Sequence, residues 1–462
     1  MHNVLLIDFG STYTKITAVD LLKEEILGTA RGITTVTTDI MDGLNQALED
    51  LFSRTGKLEF SKVLACSSAA GGLKMVAIGL VPELTAEAAK RAALGAGAKV
   101  LGVFCHELSE YEIEEIAALE PDILLLAGGT DGGNKDVILH NAQMLTQLGK
   151  DVPTVVAGNK SVAPRVVKLL STVMSEVEHT ENVMPRLNEL NIEPARNTIR
   201  NVFLKKIVEA KGLNKANSFV DRMVMPTPAA VLKAAELLSA GTAHEKGWGD
   251  LMVVDIGGAT TDIYSIAKGN PSKSNVALHG LPEPFAKRTV EGDLGMRYSA
   301  TALLKAAGAP LIAGYADESE EAAIDYIHKV ENQVDHLPET TAEKRLEIAM
   351  GKACTRLGAD RHVGQLETMF TVHGPVFVQV GKDLTNVTRV IGTGGVIVTH
   401  PTPEAILAGI QFGDDAAHIL KPEDPDYYVD KEYILAAMGL LAEESPDAAV
   451  RMMKKYIIRR EK

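Results

Sequence analysis

The feature that most constrains this chain is a repeat set about half its length apart. Residues 4–19, VLLIDFGSTYTKITAV, match residues 251–266, LMVVDIGGATTDIYSI. Asp8 falls on Asp255, Gly10 on Gly257 and Thr14 on Thr261. Both copies run four apolar residues, then Asp-x-Gly, then small and hydroxyl residues, then a second β-like run. The pattern predicts two similar lobes, each opening on a strand and its hairpin partner, that face each other across a cleft.

Elementary chemistry explains the residue choice. Glycines let backbone N–H groups approach phosphate oxygens closely, and hydroxyls add donors. An aspartate at the strand end is unsuited to touching phosphate directly. It can hold magnesium through water, because magnesium keeps several waters and takes few protein carboxylates. Either copy alone also reads as a tight β-turn built from Asp and Gly. A third element is VTRVIGTGGVIVTHP (387–401), a strand, a Gly-Thr-Gly-Gly turn and a helix start. Its glycines would let a base and ribose lie against the backbone, with a helix N-terminus nearby for phosphate.

Between these elements, strands and helices alternate. SKVLACSSA (61–69) and KVLGVF (99–104) read as strands, 84–97 as a helix and 109–121 as a helix closed by Pro121. The strand that starts at 122 runs into the glycine-rich loop LLAGGTDGGN (125–134), and a helix and the strand VPTVVAGN (152–159) follow. This alternation is the mark of an α/β fold. Residues 162–245 and 299–370 read as mainly helical insertions, 241–250 as a linker, 403–413 as a helix, and the remainder as a polar tail. The division expected is 1–245, a first lobe; 246–404, a second; and 405–462, a C-terminal helix and tail packing back on the first.

At 462 residues the chain is too long for one ordinary core. Its formal charge of −14 argues against nucleic-acid and anionic-membrane surfaces as partners. The three cysteines, Cys66, Cys105 and Cys354, have no metal-ligand spacing and form no disulfide framework, which predicts buried thiols in a reducing cytoplasm. No signal peptide and no apolar run of membrane-spanning length is visible.

DFGSTYTK, DIGGATTD and IGTGG, in that order, resemble the first phosphate, second phosphate and adenosine segments of the actin, sugar kinase and heat-shock chaperone ATPase superfamily. PTPAAVLKAA (226–235) and EAILAGIQFG (404–413) resemble its two connecting helices. At finer grain, DFGSTYTKITAVD, LLLAGGTDGGN, DIGGATTDIYS and TVEGDLGMR (289–297) resemble the L protein family associated with glutamate mutase, also called GlmL or MutL and unrelated to mismatch repair. The resemblance implies a two-lobed actin-like ATPase of duplicated ribonuclease H-like domains. It implies a cytoplasmic, ATP- and magnesium-binding, chaperone-like factor that hydrolyses ATP slowly and reactivates an adenosylcobalamin-dependent mutase such as glutamate mutase.

Carried over by position, Asp8 and Asp255 hold the magnesium–water cluster. Gly10, Ser11 and Thr12 cradle phosphate from one side, with Gly257, Gly258, Thr260 and Thr261 opposite. Gly392, Thr393, Gly394 and Gly395 line the nucleoside pocket. Lys15 either reaches the terminal phosphate or is a solvated strand lysine; Asp262 is either a ligand or a hairpin-stabilising acid. One departure stands out. Heat-shock ATPases place a water-orienting glutamate before the first connecting helix, where this chain has Met225. A thioether cannot orient water as a carboxylate does. Glu291 and Asp293 are candidates for that duty, or else cap a helix start. Asp131 and Asn134 of the 125–134 loop read as turn and cap residues, or as contacts to the nucleotide or a second ligand. The alternative function is a small-molecule kinase of the sugar kinase/acetate kinase superfamily, which would need a general-base carboxylate for a hydroxyl substrate. A third is a filament or scaffold protein of the actin type.

Overall fold

An apolar run such as 4–7 must be covered on both sides, and here it becomes the centre of a sheet. The structure is a computed structural model and describes residues 2–10, 13–33, 40–67, 73–210, 219–372, 374–413 and 416–461. β1 (Asn3–Phe9) pairs antiparallel with β2 (Tyr13–Asp20), which pairs antiparallel with β3 (Glu25–Ile33). On its other side β1 pairs parallel with β4 (Lys62–Ser67), and β4 with β10 (Arg222–Pro226). Counted along the sheet by order of appearance, the strands run 3-2-1-4-5. Helix α1 (Ile40–Thr55) packs on β3.

The same order recurs in the second half. β11 (Leu251–Ile256) pairs antiparallel with β12 (Thr261–Ile266), and β12 with β14 (Ala286–Glu291). β11 pairs parallel with β17 (Arg389–Thr393), and β17 with β18 (Asp426–Asp430). A sixth strand, β19 (Ile457–Arg460), closes the edge. Four helices, Ala300–Ala307, Ala309–Ala316, Glu320–Asn332 and Thr341–His362, follow β14, and Leu346, Met350 and Cys354 of the longest share the core with Val254, Ile256 and Ile263. A small sheet, β13 (Val276–His279), β16 (Gly374–Val380) and β15 (Gln365–Thr371), completes this half.

The region expected to be helical after 162 contains two strands as well as helices. Five parallel strands lie between β4 and β10: β5 (Leu73–Ile78), β6 (Ala98–Phe104), β7 (Ile123–Leu126), β8 (Thr154–Val156) and β9 (Val177–His179). Their helices are α2 (Glu87–Gly95), α3 (Glu110–Leu119), α4 (Asp136–Leu145), α5 (Ala163–Leu170) and α6 (Glu193–Ala210). α3 starts where Ser109 and Glu112 form a capping box, a device worth about 1 kcal/mol.

The compact units are Met1–Val231 with Ala436–Ala448, and Leu232–Leu435 with Ala449–Lys462. Against the sequence-drawn boundaries at 245 and 404, the first division falls inside the helix Thr227–Ala240. Residues 241–250 are not a loose linker. Gly241 bridges Lys246, and Glu245 takes ion pairs from Arg451 and Lys454 within the second unit. Nor is the C-terminal stretch a polar tail: Leu435, Met438, Leu440, Leu441, Val450, Met452 and Met453 are buried. The helix Leu435–Leu441 is apolar throughout, while the charged residues Asp447, Arg451, Lys454 and Lys455 of Pro446–Tyr456 masked its apolar face. Cys66 and Cys354 are buried, while Cys105 is only partly so. No helix among the described residues is long and apolar enough to cross a membrane.

His362 ends the longest helix and is buried, with Nε2 2.8 Å from Ser265 Oγ and Nδ1 2.9 Å from Thr289 Oγ1. Burial, then the charges of Lys287 and Lys382, hold its pKa well below the ordinary histidine value of about 6.5. The unfolded chain takes the proton first as pH falls, so the stabilising effect is present above 6.5 and lost below it. Denaturant titrations should show the second unit losing about 1.4 kcal/mol more between pH 7.5 and 5.5 than a His362→Gln variant does. Equal losses would remove His362 as the cause.

Candidate functional site

The two hairpins repeat each other down to a single hydrogen bond. In the first, Gly10 N–H donates to the Tyr13 carbonyl at 3.1 Å; in the second, Gly257 N–H donates to the Thr260 carbonyl at 2.8 Å. Asp8 lies opposite Lys15 in the first register, and Asp255 opposite Asp262 in the second. A Cβ on Gly10 would stand 2.6 Å from the Tyr13 carbonyl oxygen, so only glycine closes that turn.

In the first unit Asp8 is largely buried at the end of the central strand. The Thr227 hydroxyl, at the start of the helix that follows β10, donates to Asp8 Oδ1 at 2.5 Å. The Cys66 thiol, in register beside Asp8 on β4, is 3.6 Å from the same oxygen. Burial pushes this thiol well above its usual pKa, and the Asp8 carboxylate adds to the effect. It is a neutral hydrogen-bond donor rather than a thiolate. Lys15 Nζ is 3.9 Å from Asp8 Oδ2, so the lysine lies along its own hairpin beside the carboxylate. Met225 is buried in register with Cys66. Ser11 and Thr12 lie outside the described residues.

The second hairpin is gripped from behind by TVEGDLGMR. Met296 N–H donates to Gly257 O at 3.1 Å, Arg297 N–H to Gly258 O at 2.8 Å, and the Ser299 hydroxyl to Ala259 O at 2.7 Å. The turn's carbonyls are thereby occupied. Among the described residues, no protein acceptor takes the N–H groups of Gly258, Ala259 or Thr260. A loop with its carbonyls tied down and its amides unused is a donor surface suited to anions. Thr261 is buried and its hydroxyl donates to Leu294 O at 2.7 Å, which makes it a support for that surface.

Asp262 is the hairpin-stabilising acid. It stands across the strands from Asp255, a like-charge pairing that destabilises a sheet unless offset. Arg288 offsets it, with Nη2 2.6 Å and Nε 2.7 Å from Asp262 Oδ1. Burial works against the charge on Arg288, but the Asp262 carboxylate outweighs it and the net shift is upward. Glu291 lies in register with Thr261 and shares Arg361 with Asp293, at 2.7 and 2.6 Å. Burial pushes the Glu291 carboxyl up, against the pull of Arg361.

The third segment divides. Gly392 is buried for packing, since a Cβ there would meet Ile397 at 2.7 Å and Leu407 at 3.0 Å. Thr393 is buried beside Asp255 in register and donates to Asp430 Oδ2 at 3.2 Å. Gly394 (φ +94°) passes so near β11 that a Cβ would stand 2.3 Å from Ile256 O. Gly395 alone of the four is exposed, with open space over it. Asp430 was not read from sequence as part of this region, and neither were Thr227 and Cys66. The Pro-Thr-Pro that opens the helix after β10 was the available signal for Thr227.

Among the described residues no three acid, histidine or cysteine groups gather to cage a metal. Single carboxylates at strand ends suit magnesium, which fills its shell with water and ligand phosphate.

Two sheets of order 3-2-1-4-5, each opening on the same Asp-x-Gly hairpin, define a duplicated ribonuclease H-like fold of the actin-like class. The family model described as MutL protein matches residues 4–457. Protein MutL of Clostridium tetanomorphum is 56% identical over 463 residues, covering 99% of this chain and 100% of that one. The chain belongs to the MutL protein family. Solved structures with some likeness include gluconate kinase from Lactobacillus acidophilus, at a TM-score of 0.34 and 11% identity over 99% of this chain and 92% of that one. Glycerol kinase from Plasmodium falciparum with ADP gives a TM-score of 0.34 and 10% identity over 99% and 94%. Values this low carry no argument about ligand or activity.

Proposed function

We propose that this chain binds ATP with magnesium through its two Asp-x-Gly hairpins. On this reading it serves as a chaperone-like reactivating factor for an adenosylcobalamin-dependent mutase such as glutamate mutase, with slow hydrolysis coupled to client release. The observation that carries the nucleotide part is the duplicated hairpin, with one carboxylate per copy and, in the second, three unused backbone donors. Asp8 and Asp255 would each offer a carboxylate to the water shell of magnesium, whose role is to neutralise phosphate charge. Gly10, Gly257, Gly258 and Thr260 would meet the phosphate oxygens, and Gly395 would border the nucleoside. Membership of the MutL family supports the mutase association.

Slow turnover fits the carboxylates present. Met225 orients no water, and Glu291 and Asp293 are both engaged by Arg361. That engagement also disfavours a small-molecule kinase, which needs a carboxylate ready to accept a hydroxyl proton.

Calorimetric titration with Mg-ATP should give saturable binding, weakened at least tenfold, about 1.4 kcal/mol, by Asp8→Ala or Asp255→Ala. Unchanged binding in both variants would remove the site assignment. For the client, inactivated glutamate mutase incubated with the protein, ATP and fresh adenosylcobalamin should regain activity, and should not with ATP omitted. No recovery would remove that client and leave the nucleotide site standing.

A further inference from the structure

A complete doubly wound domain sits inside the first unit, between β4 and β10. Its sheet runs β6-β5-β7-β8-β9, which by order of appearance is 2-1-3-4-5, with every pairing parallel. Val76, Ile78, Leu124, Leu126 and Val156 share one core with residues of α3, α4 and α5, and α2 packs with α6. Right-handed crossovers place these two helix groups on opposite faces. The chain therefore leaves β5 toward one side and β7 toward the other. In open α/β sheets the crevice at the carboxyl ends of such a strand pair is where ligands bind.

In this chain that edge carries Gly79, Leu80 and Val81 after β5, and the 127–134 loop after β7. The function proposed above leaves the loop unused, yet it is firmly built. Asn159, fully buried, donates to the carbonyls of Gly133 at 3.2 Å and Asn134 at 3.0 Å, and accepts from Gly132 N–H. Asn182 donates to Gly129 O and to Asp131 Oδ1, both at 3.0 Å. Asp131 also accepts Lys160 N–H and pairs with the Lys160 ammonium at 3.4 Å. So the loop's single carboxylate and several of its carbonyls are occupied.

Its amides are not. Among the described residues, the N–H groups of Gly128, Gly129 and Thr130, and that of Gly158 on the neighbouring loop, have no protein acceptor. Gly128, Gly129 and Gly158 are buried. Buried backbone donors without partners are rare. Three in two adjacent loops, with a fourth on partly buried Thr130, at a topological switch point, leave a set of donors awaiting an acceptor-rich group, and a phosphoryl group supplies several strong acceptor oxygens. We propose that this crevice binds the phosphoryl end of a small phosphorylated molecule, at a site distinct from the Asp8 and Asp255 hairpins.

Leu80 provides the test. It is partly exposed at the other bank of the crevice, 3.8 Å from where a Cβ on Gly128 would stand; its backbone N–H donates to Thr85 Oγ1 and its carbonyl accepts from His106 N–H. The full-length chain carrying Asp8→Ala and Asp255→Ala, in phosphate-free buffer, is titrated with inorganic phosphate and with flavin mononucleotide, followed by calorimetry and phosphorus NMR. Saturable binding of at least one probe is expected despite both alanines. Adding Leu80→Glu should weaken it about tenfold or more, by charge repulsion. The isosteric Leu80→Gln should leave it within about twofold, since surface changes rarely exceed a few tenths of a kcal/mol. Melting curves check that both variants fold. No saturable binding of either probe, binding indifferent to Leu80→Glu, or equal losses in the Glu and Gln variants would each overturn the proposal. Because the hairpin aspartates are already replaced, failure here leaves the ATP assignment untouched.

Discussion

Arg288→Leu will destabilise the second unit by about 3–5 kcal/mol, the cost of leaving a buried charge without its partner. The guanidinium is the countercharge to Asp262, and both side chains are shielded from water. With leucine in its place, Asp262 would face Asp255 across the strand pair without the guanidinium that offsets the repulsion. Removing both charges, as Asp262→Asn with Arg288→Leu, should recover more than half of the loss, because the unpaired ion rather than the missing bond is the expensive part. Melting temperatures should follow at about 2–4 °C per kcal/mol for a unit of this size. A loss below about 1 kcal/mol in the single variant, the level of an exposed ion pair, would mean that water reaches Asp262.

Gly394→Ala is the second large effect, on the order of 3 kcal/mol, from a left-handed backbone position and a hard overlap together. The added methyl would stand 2.3 Å from the Ile256 carbonyl oxygen and 2.7 Å from its nitrogen. Neither is a side chain that can swing away. Relief requires β11 and the β17 turn to separate, and Ile256 is the residue after Asp255. The variant should therefore lose Mg-ATP affinity along with denaturant stability. Gly395→Ala, one residue on, meets nothing within 4 Å and should leave stability within about 0.5 kcal/mol of the parent. If the two variants melt together, the turn is not wedged against β11.

What the sequence disclosed about this molecule was its symmetry. Eight residues around Asp8 and eight around Asp255 were enough to expect two ribonuclease H-like halves, because a hairpin with its turn is local and its pattern is written in consecutive residues. The inserted domain shows the limit. Its strands and helices could be read one by one from LLLAGG, VPTVVAGN and the periodic stretches between them. Their order, with β5 between β6 and β7, depends on pairings between distant segments that no window of sequence displays. Gly392 shows a second limit. A glycine signals that something comes close to the backbone, and here a Cβ would meet Ile397 and Leu407, neighbours that no sequence window displays together. Thr227 and Cys66 escaped notice for a related reason: each matters through Asp8, more than fifty residues away.

The discontinuity of the two units has a consequence for the order of synthesis. Residues Ala436–Ala448 belong to the first unit, and a Cβ on Gly439 would stand 1.9 Å from Ala230 O, so the backbones there are in close contact. A nascent chain that has emerged as far as β18 still lacks a piece of its first unit. The second unit in turn waits for β19, which pairs with β18. Neither unit can close while the ribosome is still translating the middle of the message, so both finish folding late and close together in time. A stop codon before Ala436 would damage both units at once.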